Sequence, residues 1–204
     1  MLIVIEGQDA AGKDTQAKLL EAYLKEKGET VVSYDESGTS SLDPFVSEIS
    51  NLNYKNDYSL DKKTRVLLYL VNRYEQWKRL AEPTLKENGV VILTRNWLST
   101  LIYEGYGTGV SRSLIKRLHR EIMPEKYFSP DKIAILTLPE AERKKRLISQ
   151  GKRSEEFFKS KKAEFQKTLN SAYLKVAKEF NVPTLDASGS REEVLEKLKT
   201  LFKI

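Results

Sequence analysis

An α/β/α sandwich, with a five-stranded parallel sheet flanked by helices, is the fold the sequence predicts, and three observations predict it. Short apolar, β-branched runs alternate with longer amphipathic stretches along the chain, the signature of strands buried on both faces between helical crossovers. A glycine-punctuated turn follows the first run and opens the first amphipathic stretch. The length, 204 residues, fits one domain spanning 1–204 and can bury a sizeable core without covalent staples.

Each element has its own warrant. Leu2–Glu6 is an apolar run read as a buried strand, and Gly7–Gly12 is the turn after it. Asp14–Lys27 reads as a helix with Leu19, Leu20, Tyr23 and Leu24 on one face and Gly28 past its end. Thr30–Tyr34 is a second strand. From Asp35 to about Leu60 the pattern is irregular, with a short helix near Pro44–Ser50. A long helix follows over Asp61–Glu82, stopped before Pro83. Val90–Thr94 is the third strand, with helical patterns at Leu98–Tyr103 and Arg112–Ile122. Ile133–Leu138 is the fourth. Glu140–Phe180 is helical, charged and interrupted near Gln150–Ser154. Thr184–Leu185 is a short fifth strand, and Arg191–Phe202 closes the chain as a helix capped by Ser190.

Composition removes several chemistries. Without cysteine there is no disulfide framework, thiolate metal site or cysteine nucleophile. A single histidine, His119, leaves no histidine ligand cluster and sits in a charged helix, IKRLHRE, where a surface position is expected. Trp77 and Trp97 read as packing residues. No window reaches the roughly 20 apolar residues of a spanning helix, and the opening run is too short for a signal segment. A soluble, cytoplasmic protein without membrane or nucleic-acid partners is expected. The net charge of +6 suits an anionic ligand better than a nucleic-acid coat.

Gly7-Gln8-Asp9-Ala10-Ala11-Gly12-Lys13 matches G-x-x-x-x-G-K and stands between a strand and a helix, the context that this phosphate loop requires. Glycines let backbone N–H groups turn inward around a phosphate, and the helix N-terminus adds partial positive charge. Lys13 then reaches the β/γ oxygens. The Ser or Thr expected next, whose hydroxyl sits on Mg²⁺, is replaced by Asp14, with Thr15 after it.

With the loop in place, the chain resembles the thymidylate kinase family of P-loop nucleoside-monophosphate kinases. Gly7–Gln16 (GQDAAGKDTQ) is similar to that family's GxDGxGKxTQ, and Leu67–Arg73 (LLYLVNR) to its aromatic-then-arginine segment. Thr94-Arg95-Asn96 stands where the family has Asp-Arg-Tyr, and Ser99–Gly105 (STLIYEG) resembles SSxAYQG. Lys152-Arg153-Ser154-Glu155 resembles the Asp-Arg-x-Glu of a mobile lid, expected over 143–160, with 35–60 on the acceptor side. The resemblance implies ATP and Mg²⁺, transfer of the γ-phosphate to a deoxynucleoside monophosphate, dTMP foremost, in nucleotide biosynthesis, and a homodimer through helices beside the sheet.

It also implies roles. Gly7, Gln8, Asp9, Ala10, Ala11, Gly12, Lys13, Asp14 and Thr15, with Arg143 and Arg146, would hold ATP. Asp9, Tyr69, Arg73, Arg95, Ser99, Thr100 and Tyr103 would hold the acceptor, Tyr69 stacking on the base and Arg95 taking the phosphate. Gln8, Ala10 and Ala11 supply no charge in the loop, so the lid's Arg153 is the first choice to act on the transferred phosphoryl beside Lys13, Arg95 and Asp9; Arg146, Arg143 and Lys152 come behind it. Gly151 would be the hinge.

Four departures matter. Thr94 replaces the family's aspartate, and Lys152 the lid's. Asp35 stands where the family has arginine, and Glu104 where it has glutamine. Asp14 and Thr94 together suggest an exchanged metal pair, carboxylate for hydroxyl and hydroxyl for carboxylate. Two other readings stand beside the leading one. EGQDAAGK also resembles the phosphate loop of family-2 polyphosphate kinases, and the Asp14 and Thr94 changes would suit a nucleotide-binding protein with impaired catalysis.

Overall fold

The structure, a computed structural model, describes residues 1–36, 60–151 and 161–204. Five strands form one sheet: β1 (Leu2–Gly7), β2 (Val31–Asp35), β3 (Val90–Thr94), β4 (Lys132–Thr137) and β5 (Thr184–Asp186). All neighbours are parallel, in the order β2-β3-β1-β4-β5. The sheet class and strand number agree with the sequence expectation. β1 lies at the centre, and Leu2 to Ile5 are fully buried. Complete burial of such side chains contributes about 1.5–3 kcal/mol each.

Alternation along the strands sorts the core into two layers. Leu2, Val4, Val91 and Leu93 face one cluster; Ile3, Ile5, Val90 and Ile92 face the other. The second is closed by α1 (Lys13–Glu26), through Ala17, Leu20 and Leu24, and by the last helix, through Val194, Leu198 and Phe202. Gly28 ends α1 beyond its cap with φ 86°, as a helix stop requires. The last helix, Arg191–Phe202, begins in a capping box between Ser190 and Glu193.

The first cluster is closed by four helical stretches. These are α2 (Lys62–Gln76), α4 (Trp97–Thr100) with its π-helical continuation Leu101–Gly107, α5 (Arg112–Ile122) and α8 (Lys161–Glu179). Between them along the chain lie α3 (Glu82–Lys86), α6 (Glu125–Phe128) and α7 (Glu140–Ser149), and Arg191–Phe202 is α9.

Two expectations are corrected. The long helix does not stop before Pro83. α2 passes into a π-helical turn, Trp77–Ala81, where the Glu82 N–H reaches back to Trp77 O, and α3 then begins with Pro83 in its first turn. The π turn interrupts the i→i−4 ladder just before Pro83, so the helix runs past the proline without ending there. His119 is not at the surface. It is fully buried, its Nδ1 2.8 Å from Ile115 O and its ring tilted against Trp97 at 6.4 Å. Burial, then the charge of Arg73, pushes its pKa down to about 3. Trp77 and Trp97 do pack, edge-on to Tyr127 and to Phe128 and Phe180 respectively. No helix among the described residues is long and apolar enough to cross a membrane.

Candidate active site

The site lies at the C-terminal ends of β1, β3 and β4, where open α/β sheets place their ligands. Gly7 leaves β1 at φ 152°, and a Cβ there would stand 2.4 Å from Leu136 O of β4, so only glycine fits. Ala10 and Gly12 then adopt left-handed backbone, φ 65° and 86°, and α1 starts with no side-chain cap. Its first amides are left for a ligand.

Lys13 is buried, and its Nζ donates to Gly7 O at 3.0 Å and Gln8 O at 3.1 Å. Burial lowers its pKa to about 8, and the charge of Arg95 acts in the same direction. A phosphate would supply the charge that this ammonium lacks. The loop opens on a cavity of about 470 Å³ lined by Gly12, Lys13, Asp14, Thr15, Arg146 and Arg191 among others. Arg146 is held by Glu142 at 3.0 Å and by Ala187 O at 3.1 Å.

Four residues expected at ATP, Gly7, Gln8, Asp9 and Arg143, do not line this cavity; Gly7 ends β1 and Asp9 lines a second cavity. The Gln8 amide turns away from the loop, accepting from Leu138 N at 3.0 Å and donating towards Asn170 O at 3.5 Å. Arg143 is buried against Glu140, whose carboxylate takes both Nε, at 3.0 Å, and Nη2, at 2.5 Å; it does not line the cavity. Its place on α7, three residues after Glu140, makes that pairing local and bidentate. Arg153 and Lys152 lie outside the described residues, as do most of 35–60 and 143–160's distal half; Gly151 is at φ 63°.

A second cavity, about 290 Å³, is lined by Asp9, Tyr69, Arg73, Arg95, Ser99, Thr100 and Tyr103, the same seven residues that the sequence assigned to the acceptor. Arg95 follows β3 in a left-handed conformation, φ 72°. Its Nη2 meets Asp9 at 3.1 Å, and its Nη1 meets Ser99 Oγ at 3.3 Å and Tyr173 Oη at 3.2 Å. Tyr103 Oη also donates to Asp9, at 3.0 Å. Burial alone would raise the pKa of Asp9, but the charges of Arg95 and Lys13 and these hydrogen bonds outweigh it and hold it below the usual value.

Beneath the cavity Arg73 is fully engaged. Nε donates to Glu36 at 2.9 Å, Nη2 to Asn96 O at 2.9 Å, and Nη1 to Thr100 Oγ1. Glu36 also accepts from Tyr127 Oη at 2.6 Å, and its other oxygen has no partner among the described residues. Burial pushes Glu36 up to about 7 despite the arginine. The carboxyl yields first because Arg73 keeps two further acceptors that do not titrate. Arg73 also packs over the half-buried Tyr69 ring, 5.7 Å from its centroid. Glu104 is buried outside this cavity and paired with Arg65 at 2.9 and 3.1 Å, so its negative charge is answered locally.

Asp14 and Thr94 line one small cavity of about 250 Å³, with Asp35 beside them. Hard oxygen donors of this kind suit Mg²⁺, which takes one or two carboxylates and completes its shell with water and phosphate.

Three residues escaped the sequence reading. Tyr173 touches Arg95 but lies on an apolar stripe of α8 with Leu169 and Val176, and so reads as core. Glu36 and Glu6 are buried carboxylates at strand ends, and only their position after an apolar run marked them.

A glycine-rich loop from the central strand, a lysine at the head of α1, and a second cavity lined by Arg95 define a P-loop nucleotide-dependent phosphotransferase architecture. The thymidylate kinase family model matches residues 5–198, and the chain belongs to that family. A thymidylate kinase of Caldicellulosiruptor saccharolyticus is 33% identical over 98% of this chain and 94% of its own. A probable thymidylate kinase of Thermococcus onnurineus is 31% identical, over 95% of this chain and 93% of its own. The crystal structure of an Ehrlichia chaffeensis thymidylate kinase superposes with TM-score 0.77 at 24% identity, covering 100% of this chain and 98% of that one, a likeness of fold.

Proposed function

We infer that this chain transfers the γ-phosphate of ATP to dTMP, giving ADP and dTDP. The observation that carries the reading is the meeting of two cavities at one phosphate loop, one lined by Lys13 and α1, the other by Arg95, Asp9 and Tyr69. Family membership supplies the acceptor.

Lys13 and the α1 amides bind the donor phosphates; Arg95 orients the acceptor phosphate for in-line attack. Tyr69 presents a face on which a pyrimidine stacks, and Asp9 with Tyr103 receives the sugar. Thr100, held by Arg73, borders the base, and Ser99 contacts Arg95. Asp14 and Thr94 would hold Mg²⁺ as an exchanged pair, and the metal would supply charge neutralisation to the phosphates. Arg146 borders the donor cavity. Arg153 remains our choice for the cation that closes on the transferred phosphoryl, from a lid over 143–160. Lys13 already fills the loop's own cationic role, and Arg143 is committed to Glu140. We read 1–204 as one kinase domain, cytoplasmic, and dimeric through the exposed apolar stripe Leu67, Val71 and Tyr74 of α2.

Coupled ADP release over a panel of deoxynucleoside monophosphates tests this. A preference for dTMP is expected. Dependence on polyphosphate would move the chain to the other phosphotransferase class, and thermal stabilisation by nucleotide without turnover would make it a binder only.

A further inference from the structure

Glu6 ends β1 one residue before the loop, is fully buried, and has no assigned role. Its carboxylate collects four donors. Oε1 accepts from Asn96 N at 2.7 Å and Ser99 N at 3.1 Å, and Oε2 from Ser99 Oγ at 2.9 Å and Gly7 N at 3.3 Å. Asn96 is the N-cap of α4 and Ser99 lies in its first turn, so a carboxylate from another strand caps this helix. The preceding residue is Arg95, whose left-handed backbone is unfavourable for a side chain with a Cβ and whose N–H is held by Ile5 O at 3.1 Å. The last residues of β1 therefore grip the strained turn on both sides.

The polarity of the chain of bonds matters more. A serine hydroxyl has one proton. Because the carboxylate accepts only, that proton points at Glu6, and the Ser99 lone pairs face the Arg95 guanidinium at 3.3 Å. We propose that Glu6 is the positioning residue for Arg95, acting through Ser99 as a fixed-polarity relay, and that Ser99 therefore donates nothing to the acceptor. This rests on the reading of Arg95 as the acceptor-phosphate ligand.

Binding of dTMP and of thymidine, which lacks the phosphate, separates the possibilities when measured by calorimetry alongside KM and kcat. In Glu6→Gln the amide NH₂ faces Ser99 Oγ and reverses the bond, turning the serine proton towards the guanidinium. Affinity for dTMP should fall about tenfold or more, the scale of a hydrogen bond to a charged group, with thymidine affinity unchanged. Ser99→Ala should act in the same direction, Ser99→Thr should restore the affinity, and Glu6→Gln added to Ser99→Ala should cost nothing further. Should Glu6→Gln not fold, the comparison of Ser99→Ala with Ser99→Thr carries the test. Arg95→Ala is the control: if it leaves the preference for dTMP over thymidine intact, the reading of the site falls. If it abolishes that preference while Ser99→Ala keeps it, or if the two Glu6 and Ser99 effects simply add, the relay falls.

Discussion

Removing Arg73 exposes how the second cavity, lined by Arg95 and Tyr69, is supported. In Arg73→Met the guanidinium goes and Glu36 stays, fully buried, with one oxygen already unpartnered among the described residues. Breaking a buried pair from one side costs about 3–5 kcal/mol. The pH dependence is more diagnostic. Glu36 has an ordinary value of 4.5 and sits at about 7 in the fold. A raised carboxyl makes the folded chain bind the extra proton, so stability is lost as pH rises from 4.5 to 7 and is level above 7. That loss is roughly 3 kcal/mol at about 1.4 kcal/mol per pH unit. Without Arg73 the folded value moves higher still, and the loss continues above pH 7. The stability gap between parent and variant should therefore widen by about 2 kcal/mol between pH 7 and pH 8.5. Urea unfolding at the two pH values reads it directly. Adding Glu36→Gln to the variant should abolish the widening. Equal gaps at pH 7 and 8.5 would refute the account of Glu36 as a burial-raised acid restrained by Arg73.

Other outcomes follow from the same geometry. Asp14→Thr and Thr94→Asp should each lower turnover about tenfold or more, at about 1.4 kcal/mol per tenfold. Together they should recover it; strictly additive losses would dispose of the exchanged metal pair. Lys13 should lose its proton in the free enzyme above pH 8 or so, so kcat/KM for ATP falls there. The kcat limb lies higher because bound phosphate favours the charged amine, and coincident limbs would contradict this. His119, depressed to about 3, is neutral in the fold and charged in the unfolded chain below 6.5, so stability drains as pH falls through that window. His119→Gln should gain about 3 kcal/mol relative to the parent on going from pH 7 to pH 4, and thermal melts at the two pH values would show it.

The strand runs and the phosphate loop were readable because apolar β-branched segments and a glycine spacing are local features. The lining of the second cavity was readable because its residues sit in short ordered strings, LLYLVNR and STLIYEG with Asp9 of the loop and Arg95 after β3, that resemble a family. What was hidden depends on partners far along the chain. Gln8 lies in the loop by sequence, yet its amide is bound by Leu138 N, 130 residues on. His119 reads as a surface residue because Lys116, Arg117 and Arg120 surround it, although it shares the buried face of α5 with Ile115. Pro83 ended the predicted helix because the rule assumes α-helical register, and a π turn changes that register. Glu104 reads as an added charge where the family has glutamine, because its partner Arg65 lies 39 residues earlier.

The most direct measurement is the structure of the protein with dTMP, an unreactive ATP analogue and Mg²⁺. The account predicts the thymine on Tyr69, the dTMP phosphate on Arg95, and the analogue's phosphates in the loop at Lys13. A dTMP phosphate away from Arg95, or nucleotide phosphates outside the loop, would contradict it.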